Sequence, residues 1–281
     1  MVKLEGKVAV VTGTSPNIMG GIAEELAAEG ARLVAVDARE DFVNGCAESI
    51  KRSGGEAIGV VCDVTDEEQV KRTIGSAVEA FGSVDILVNG AVKQNRKGLL
   101  GMPIDEFRAQ VDIILGGALL FSKHAALQMI EQGRGGSIIN IASTEAHGGS
   151  PGNIGYATSK SGLLNFTRSI AMELSEHRIR VNSLTPTATD VYEGRDRAER
   201  WGVEWLMPTG IADMAAILEE RGRMTPLRRL PKPSEYGKAV AFLTCDDEAG
   251  MITGFDLRVD GGNVARFWGW NPADGPHDWV R

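Results

Sequence analysis

The chain has 281 residues, 43% of them hydrophobic, and a formal net charge of −8. That length can bury a full core, and the acidic balance argues against nucleic acid or an anionic membrane as the main partner. Cysteines at 46, 62 and 245 form no CxxC, and histidines at 124, 147, 177 and 277 show no ligand spacing. A reduced, cytoplasmic setting with no dedicated metal site is the simplest reading.

The N-terminal "MVKLEGKVAVVTG" enters a strand at once and does not read as a signal peptide. No apolar run approaches the roughly 18 residues of a membrane span. Short β-branched runs predict strands at 7–12, 31–37, 56–64, 84–90, 136–143, 179–186 and 255–261. They are nearly continuous in apolar residues, as in a parallel sheet covered on both faces. Amphipathic segments lie between them. The one opening "TDEEQV" carries a capping box from Thr65 to Glu68 and stops at Gly82. Strands alternating with helices predict an α/β fold: a single domain with a doubly wound, seven-stranded parallel sheet of Rossmann type. Two stretches break the rhythm. Residues 187–225 form a helical, substrate-side insertion with Tyr192, Trp201, Trp205 and Met207. Residues 264–281 form a tail with Phe267, Trp268, Trp270 and Trp279. Its aromatics predict an ordered tail, packed across a subunit interface, over the substrate pocket or on the subunit's own core.

"TGTSPNIMGGIAEEL", residues 12–26, joins the first strand to a helix. Such a turn offers free backbone N–H groups to a pyrophosphate. Gly13 leaves the strand, Gly20 and Gly21 enter the helix, and Asn17 stands where a positive φ is often needed. Met19 projects a side chain where close approach is usual. Alone, this loop also fits a plain β–α turn. Asp37 ends the second strand, 24 residues after Gly13, where a carboxylate can bond the ribose hydroxyls of NAD and repel a 2′-phosphate. Arg39 leaves that preference open. Asp63 and Val64 end the third strand, near an adenine site; Asp63 fits a helix-approach cap as well.

"YATSK" places Tyr156 and Lys160 at i and i+4, on one helix face. A nearby ammonium, with the positive charge of an oxidised nicotinamide, would lower the phenol's pKa and suit Tyr156 to acid–base work. Ser143 lies 13 residues before Tyr156, placed to bond a substrate oxygen.

With these motifs, with "NGA" at 89–91, "RVNSLTP" and "ITGFDLRVDGG", residues 5–263 resemble the short-chain dehydrogenase/reductase family. The resemblance implies hydride transfer between a nicotinamide cofactor and a small-molecule alcohol or ketone, and assembly as a homotetramer. It makes Tyr156 the acid/base, Ser143 the donor to the substrate oxygen, and Lys160 the ligand of the nicotinamide ribose. Ser15, Asn17 and Ile18 would contact the cofactor, with Met19 turned toward the nicotinamide. Asn89 would lie beside it, and the backbone at Thr189 would meet the carboxamide. Four departures stand out: Asn17 and Met19 in place of glycines, "NGAV" for "NNAG", Thr187 after Pro186, and Ile114 in place of a helix asparagine that anchors a relay water. If Ile114 is only a lost relay residue, asparagine there should keep or raise activity. The loop also looks like that of the related enoyl reductases, but the Tyr–Lys spacing favours alcohol chemistry. The alternatives are a non-redox enzyme on this fold and a regulatory protein that binds NAD without turnover. The aromatic insertion suits a cyclic or bulky alcohol. Lys93, Arg96 and Lys97 read as a solvated loop or an anion contact, and Glu145 and His147 as pocket lining.

Overall fold

The computed structural model describes residues 2–205 and 214–266. In chain order they form β1 (Val8–Thr12), α1 (Ile18–Ala28), β2 (Arg32–Asp37), α2 (Glu40–Arg52), β3 (Ala57–Val61), α3 (Glu67–Phe81), β4 (Ile86–Asn89), α4 (Ile104–Val111) and α5 (Gly117–Gln132). Then come β5 (Gly136–Ile141), α6 (Ile154–Leu174), β6 (Ile179–Pro186), α7 (Val191–Trp201), α8 (Met214–Met224), α9 (Pro233–Thr244), α10 (Asp246–Ala249) and β7 (Asp256–Val259). The strands make one parallel sheet in the order β3-β2-β1-β4-β5-β6-β7. Each strand falls within its expected run.

Alternation along the strands divides the core into two layers. Ala9, Val11, Leu33, Ala35 and Val88 face α1, α2 and α9, packing on Ile22, Leu26, Cys46 and Tyr236. Val8, Val10, Val34, Val36 and Leu87 face α3, α5 and α6, packing on Val70, Ile74, Phe121 and Met129. Strand order reverses at β1, between β2 and β4, so a crevice opens at the carboxyl ends of β1 and β4.

Three local expectations meet the structure, and two of them change. The N-cap of α3 is Asp66, whose carboxylate accepts from the N–H of Glu68 (3.0 Å) and Gln69 (3.1 Å). Thr65 instead donates to Asp63 Oδ1 through its N–H (2.9 Å) and its hydroxyl (2.8 Å), closing an Asx turn that displaces the cap by one residue. Gly82 closes that helix at φ 83°, as expected. Second, α4 and α5 join through a π-helical turn, Asp112–Gly116, into a helix from 104 to 132. By length and composition it could cross a membrane, although Lys123 and His124 interrupt its apolar run. It is a core helix: Phe121, Ala125, Ala126 and Met129 are buried against the sheet. Third, the 187–225 stretch supplies α7 and α8. Met207 and the tail aromatics Phe267, Trp268, Trp270 and Trp279 lie outside the described residues.

Candidate active site

The chemistry gathers where β5 gives way to α6. Ser143 lies two residues past β5 and caps a single 3-10 turn, Thr144–Ala146, its Oγ accepting the Glu145 N–H at 3.2 Å. Tyr156 stands in the first turn of α6 and Lys160 one turn further on. Ser143 is near enough to the phenol of Tyr156 to act on its pKa. The structure thus brings Ser143, Tyr156 and Lys160 into one neighbourhood.

Their electrostatics differ from expectation. Burial raises the pKa of Tyr156; Ser143 opposes the rise, the Glu145 charge adds to it and Arg96 offsets it. Lys160 is not among the groups that move it. Its ammonium is 5.7 Å from the ring centroid of Tyr156 and donates to the Ile141 carbonyl at 2.5 Å. Burial alone brings Lys160 down to about 7. The protein's own groups thus keep Tyr156 protonated, and Lys160 carries a weakened charge.

A dinucleotide would meet the crevice at β1 and β4. Gly13 has φ 74°, and a β-carbon there would lie 2.8 Å from Ala91 Cα, so both its conformation and its packing require glycine. Asn17 corrects the positive-φ expectation: it has φ −87° and ψ −126°. It is the N-cap of α1 yet makes no side-chain cap bond, and its buried Oδ1 has no partner. Among the described residues no carbonyl accepts from the N–H groups of Ile18 and Met19, whereas Gly20 N–H is held by Ser15 O at 2.9 Å. Free donors at a helix N-terminus suit a pyrophosphate. The Met19 side chain folds down over Gly90 at the end of β4. Gly21 serves packing, since a β-carbon there would sit 2.6 Å from Pro233 Cβ on α9.

At the end of β2, Asp37 Oδ1 accepts from the Arg39 N–H at 3.0 Å, and burial raises its pKa. The Arg39 guanidinium turns to Asp41, with Nε at 2.9 Å from Oδ1, and lies 4.2 Å over the Phe42 ring. Asp63 is exposed and spends Oδ1 on Thr65, while Val64 is buried against Gly117. Asn89 donates to Ser122 (3.0 Å) and Asn140 (2.9 Å), leaving its buried Oδ1 without a partner. The Thr189 hydroxyl faces inward, toward Thr187 O (3.0 Å) and Tyr236 (3.2 Å). The orphaned oxygens, the free N–H groups and the half-buried carboxylate of Asp37 fit a dinucleotide lying from Asp37 past α1 to Asn89 and Lys160.

Ile114 sits in the π turn, buried in a small cluster with Ala118 and Leu163 on which Tyr156, Leu115 and Phe166 pack. It is a packing residue in the cluster that supports the Tyr156 ring. Gln110 is fully buried four positions earlier; its amide reaches Asn95, and its Oε1 has no partner. In the 93–98 loop, Lys97 pairs with Glu106 at 2.6 Å and only Arg96 acts on Tyr156. His147 is oriented through its Nε2 by Thr185 (3.1 Å) and Asp256 (3.3 Å).

The sequence reading missed a tie between α7 and the glycine loop. Arg197 is buried; it donates to Glu24 (2.8 Å), Glu193 (2.8 Å) and the carbonyl of Pro16 (3.0 Å). Trp201 Nε1 joins at Glu24, 2.9 Å. Contacts spanning more than 170 positions leave no local signal; the i,i+4 pair of Glu193 and Arg197 was the one visible trace.

The comparisons agree with this geometry. The family model described as "Enoyl-(Acyl carrier protein) reductase" matches residues 14–263. The (-)-isopiperitenol/(-)-carveol dehydrogenase of Mentha piperita is 35% identical, covering 92% of this chain and 94% of the relative. The L-rhamnose 1-dehydrogenase (NAD(P)(+)) of Azotobacter vinelandii is 36% identical, covering 91% and 96%. The crystal structure of a putative short-chain dehydrogenase/reductase from Burkholderia xenovorans superposes with a TM-score of 0.83 at 30% identity, covering 95% of this chain and 100% of that one. Sheet order, the reach from Ser143 to Tyr156 and these likenesses converge on one conclusion: the chain belongs to the short-chain dehydrogenase/reductase family of oxidoreductases.

Proposed function

We propose that this protein interconverts a secondary alcohol and its ketone, using NAD, with Tyr156 as general acid and base. The observation that carries the reading is the gathering of Ser143, Tyr156 and the buried Lys160 where β5 gives way to α6, with Ser143 acting on the Tyr156 phenol and the Lys160 ammonium 5.7 Å from its ring centroid. When bound, the nicotinamide cofactor accepts or supplies the hydride. Ser143 bonds the substrate oxygen and orients it. Tyr156 takes the hydroxyl proton in oxidation and returns it in reduction. The Lys160 ammonium lies next to where a nicotinamide ribose would rest, and its low pKa lets it pass a proton on near neutral pH.

NAD is preferred in this reading because Asp37 faces the ribose while Arg39 is held by Asp41. A cyclic or bulky alcohol fits the flanking α7 and α8. Leu119, Leu127 and Met172 are exposed on α5 and α6 and suit burial in a homotetramer. An assay at 340 nm with cyclic secondary alcohols tests the reading. Tyr156→Phe should lower kcat by about 10²–10⁴-fold with NAD binding kept. A variant keeping more than about a tenth of the rate would overturn the role of Tyr156. NAD binding without turnover of any alcohol or ketone would favour a regulatory protein.

A further inference from the structure

Immediately past Ser143 the structure opens onto a cavity of about 440 Å³, whose walls include Thr144, His147, Thr187, Arg221, Asn263 and Arg266. Thr144 is the residue after Ser143, and Thr187 follows the last residue of β6, so this space adjoins the segment that carries Ser143. The floor is a linked set of donors. Thr144 Oγ1 lies 3.5 Å from Thr187 Oγ1, and Asn263 Nδ2 donates to Thr187 Oγ1 at 3.2 Å.

The charge of this cavity is opposite to that of the protein. The chain carries −8, yet among the described lining residues there are two arginines and no carboxylate. The acids nearby are already committed. Asp260 accepts from the N–H groups of Gly262 (2.8 Å) and Val264 (2.7 Å). Asp256 accepts from Ser183 (2.7 Å) and Thr185 (2.9 Å). Neighbouring arginines are paired, Arg223 with Glu220 at 2.5 Å and Arg229 with Glu235 at 2.6 Å. The Arg221 guanidinium has no hydrogen bond or ion pair with any described residue, and Arg266 spends one N–H on Met224 O at 3.1 Å. A basic residue in a last helical turn is favourable to the helix dipole. That accounts for the place of Arg221 on α8, not for its having no carboxylate partner among the described residues. The Arg221 fork and the remaining N–H groups of Arg266, both exposed on the wall of this recess, match a carboxylate in shape and charge. Met224 O, at the carbonyl end of α8, disfavours a dianion there.

We propose that this cavity holds a carboxylate carried by the substrate, so that the alcohol oxidised at Tyr156 is a hydroxy acid with Arg221 and Arg266 as its specificity-determining contacts. Calling the bound molecule a substrate rests on the alcohol–ketone reading above; the anion site itself does not. Two arms keep them apart. Isothermal titration of cyclohexanecarboxylate and benzoate into the NAD-saturated protein should show binding that their methyl esters lack, weakened at least tenfold in Arg221→Gln/Arg266→Gln. In the assay, 4-hydroxycyclohexanecarboxylate should exceed its methyl ester in kcat/KM at least tenfold, and the double variant should bring that ratio close to one. Binding of neither carboxylate, or equal binding by the variant, overturns the anion site whether or not any alcohol is turned over. Equal use of acid and ester by the wild type overturns it while leaving the oxidoreductase reading intact. Carboxylate binding with no turnover keeps the site and removes the oxidoreductase reading.

Discussion

The Met19 thioether occupies the space that any side chain at residue 90 would need: a β-carbon on Gly90 would collide with its Sδ and Cε and lie 2.8 Å from its Cγ. Two departures from the family pattern, in segments about seventy positions apart, are therefore one packing solution. Gly90→Asn alone should displace Met19 into the cofactor groove and raise the Kd for NAD about tenfold. It should also cost about 1–3 kcal/mol, as overpacking does. Adding Met19→Gly should restore both. A double-mutant cycle by calorimetry and denaturant titration measures the coupling; strictly additive effects would refute the pairing.

The NAD preference proposed above rests on two carboxylates. Asp37 would repel a 2′-phosphate, and Asp41 holds the Arg39 guanidinium that could otherwise bind one. Asp37→Ala should narrow the NAD preference, and Asp37→Ala/Asp41→Ala should reverse it by freeing the guanidinium. The ratio of kcat/KM for the two cofactors reads this out. If the second substitution left the ratio where the first had put it, Arg39 would have no part in selection.

Lys160 should destabilise the fold it serves. Its pKa in the folded protein, about 7, lies below the ordinary value of 10.5. Between those values the unfolded chain holds a proton that the folded chain has released, so stability rises with pH across the window. The penalty is full below pH 7. Lys160→Met removes it, so the Tm of the variant minus that of wild type should be largest near pH 6 and shrink toward pH 10. Melting curves without added cofactor test this; a pH-independent difference would contradict it. Turnover should be lost throughout.

Ile114→Asn should now harm the enzyme. Ile114 is 2% exposed and packs with Leu163 beneath Tyr156. An amide buried there without a partner costs roughly 1–3 kcal/mol, and the loosened ring should lower kcat. Denaturant midpoints and steady-state rates check it. Full stability with an equal or higher rate would mean that Ile114 merely marks a missing water-binding group.

Much of this was legible in the chain. Apolar runs placed all seven strands because a parallel sheet buries both faces, and the i,i+4 spacing placed Tyr156 and Lys160 on one face of α6. What stayed hidden depended on contacts between distant segments. Asn17 looked like a residue chosen for a left-handed backbone, but it has an ordinary φ and presents a buried oxygen. Ile114 looked like a loss until its contact with Tyr156 appeared. Lys160 looked like the group that acidifies Tyr156, a reading that holds only if the ammonium keeps its full charge. Burial removes part of it.

Because Arg197 joins α7 to the carbonyl of Pro16 and to Glu24, the substrate-side segment and the cofactor loop are mechanically one piece. Exchanging residues 187–225 for those of a relative without Arg197, to change the alcohol accepted, would strip the half-buried Glu24 of its charged partner and slacken the loop between β1 and α1. Substrate range and cofactor affinity would then vary together. A graft that carries a guanidinium at 197 preserves the anchor, and breadth of substrate becomes a separately adjustable property.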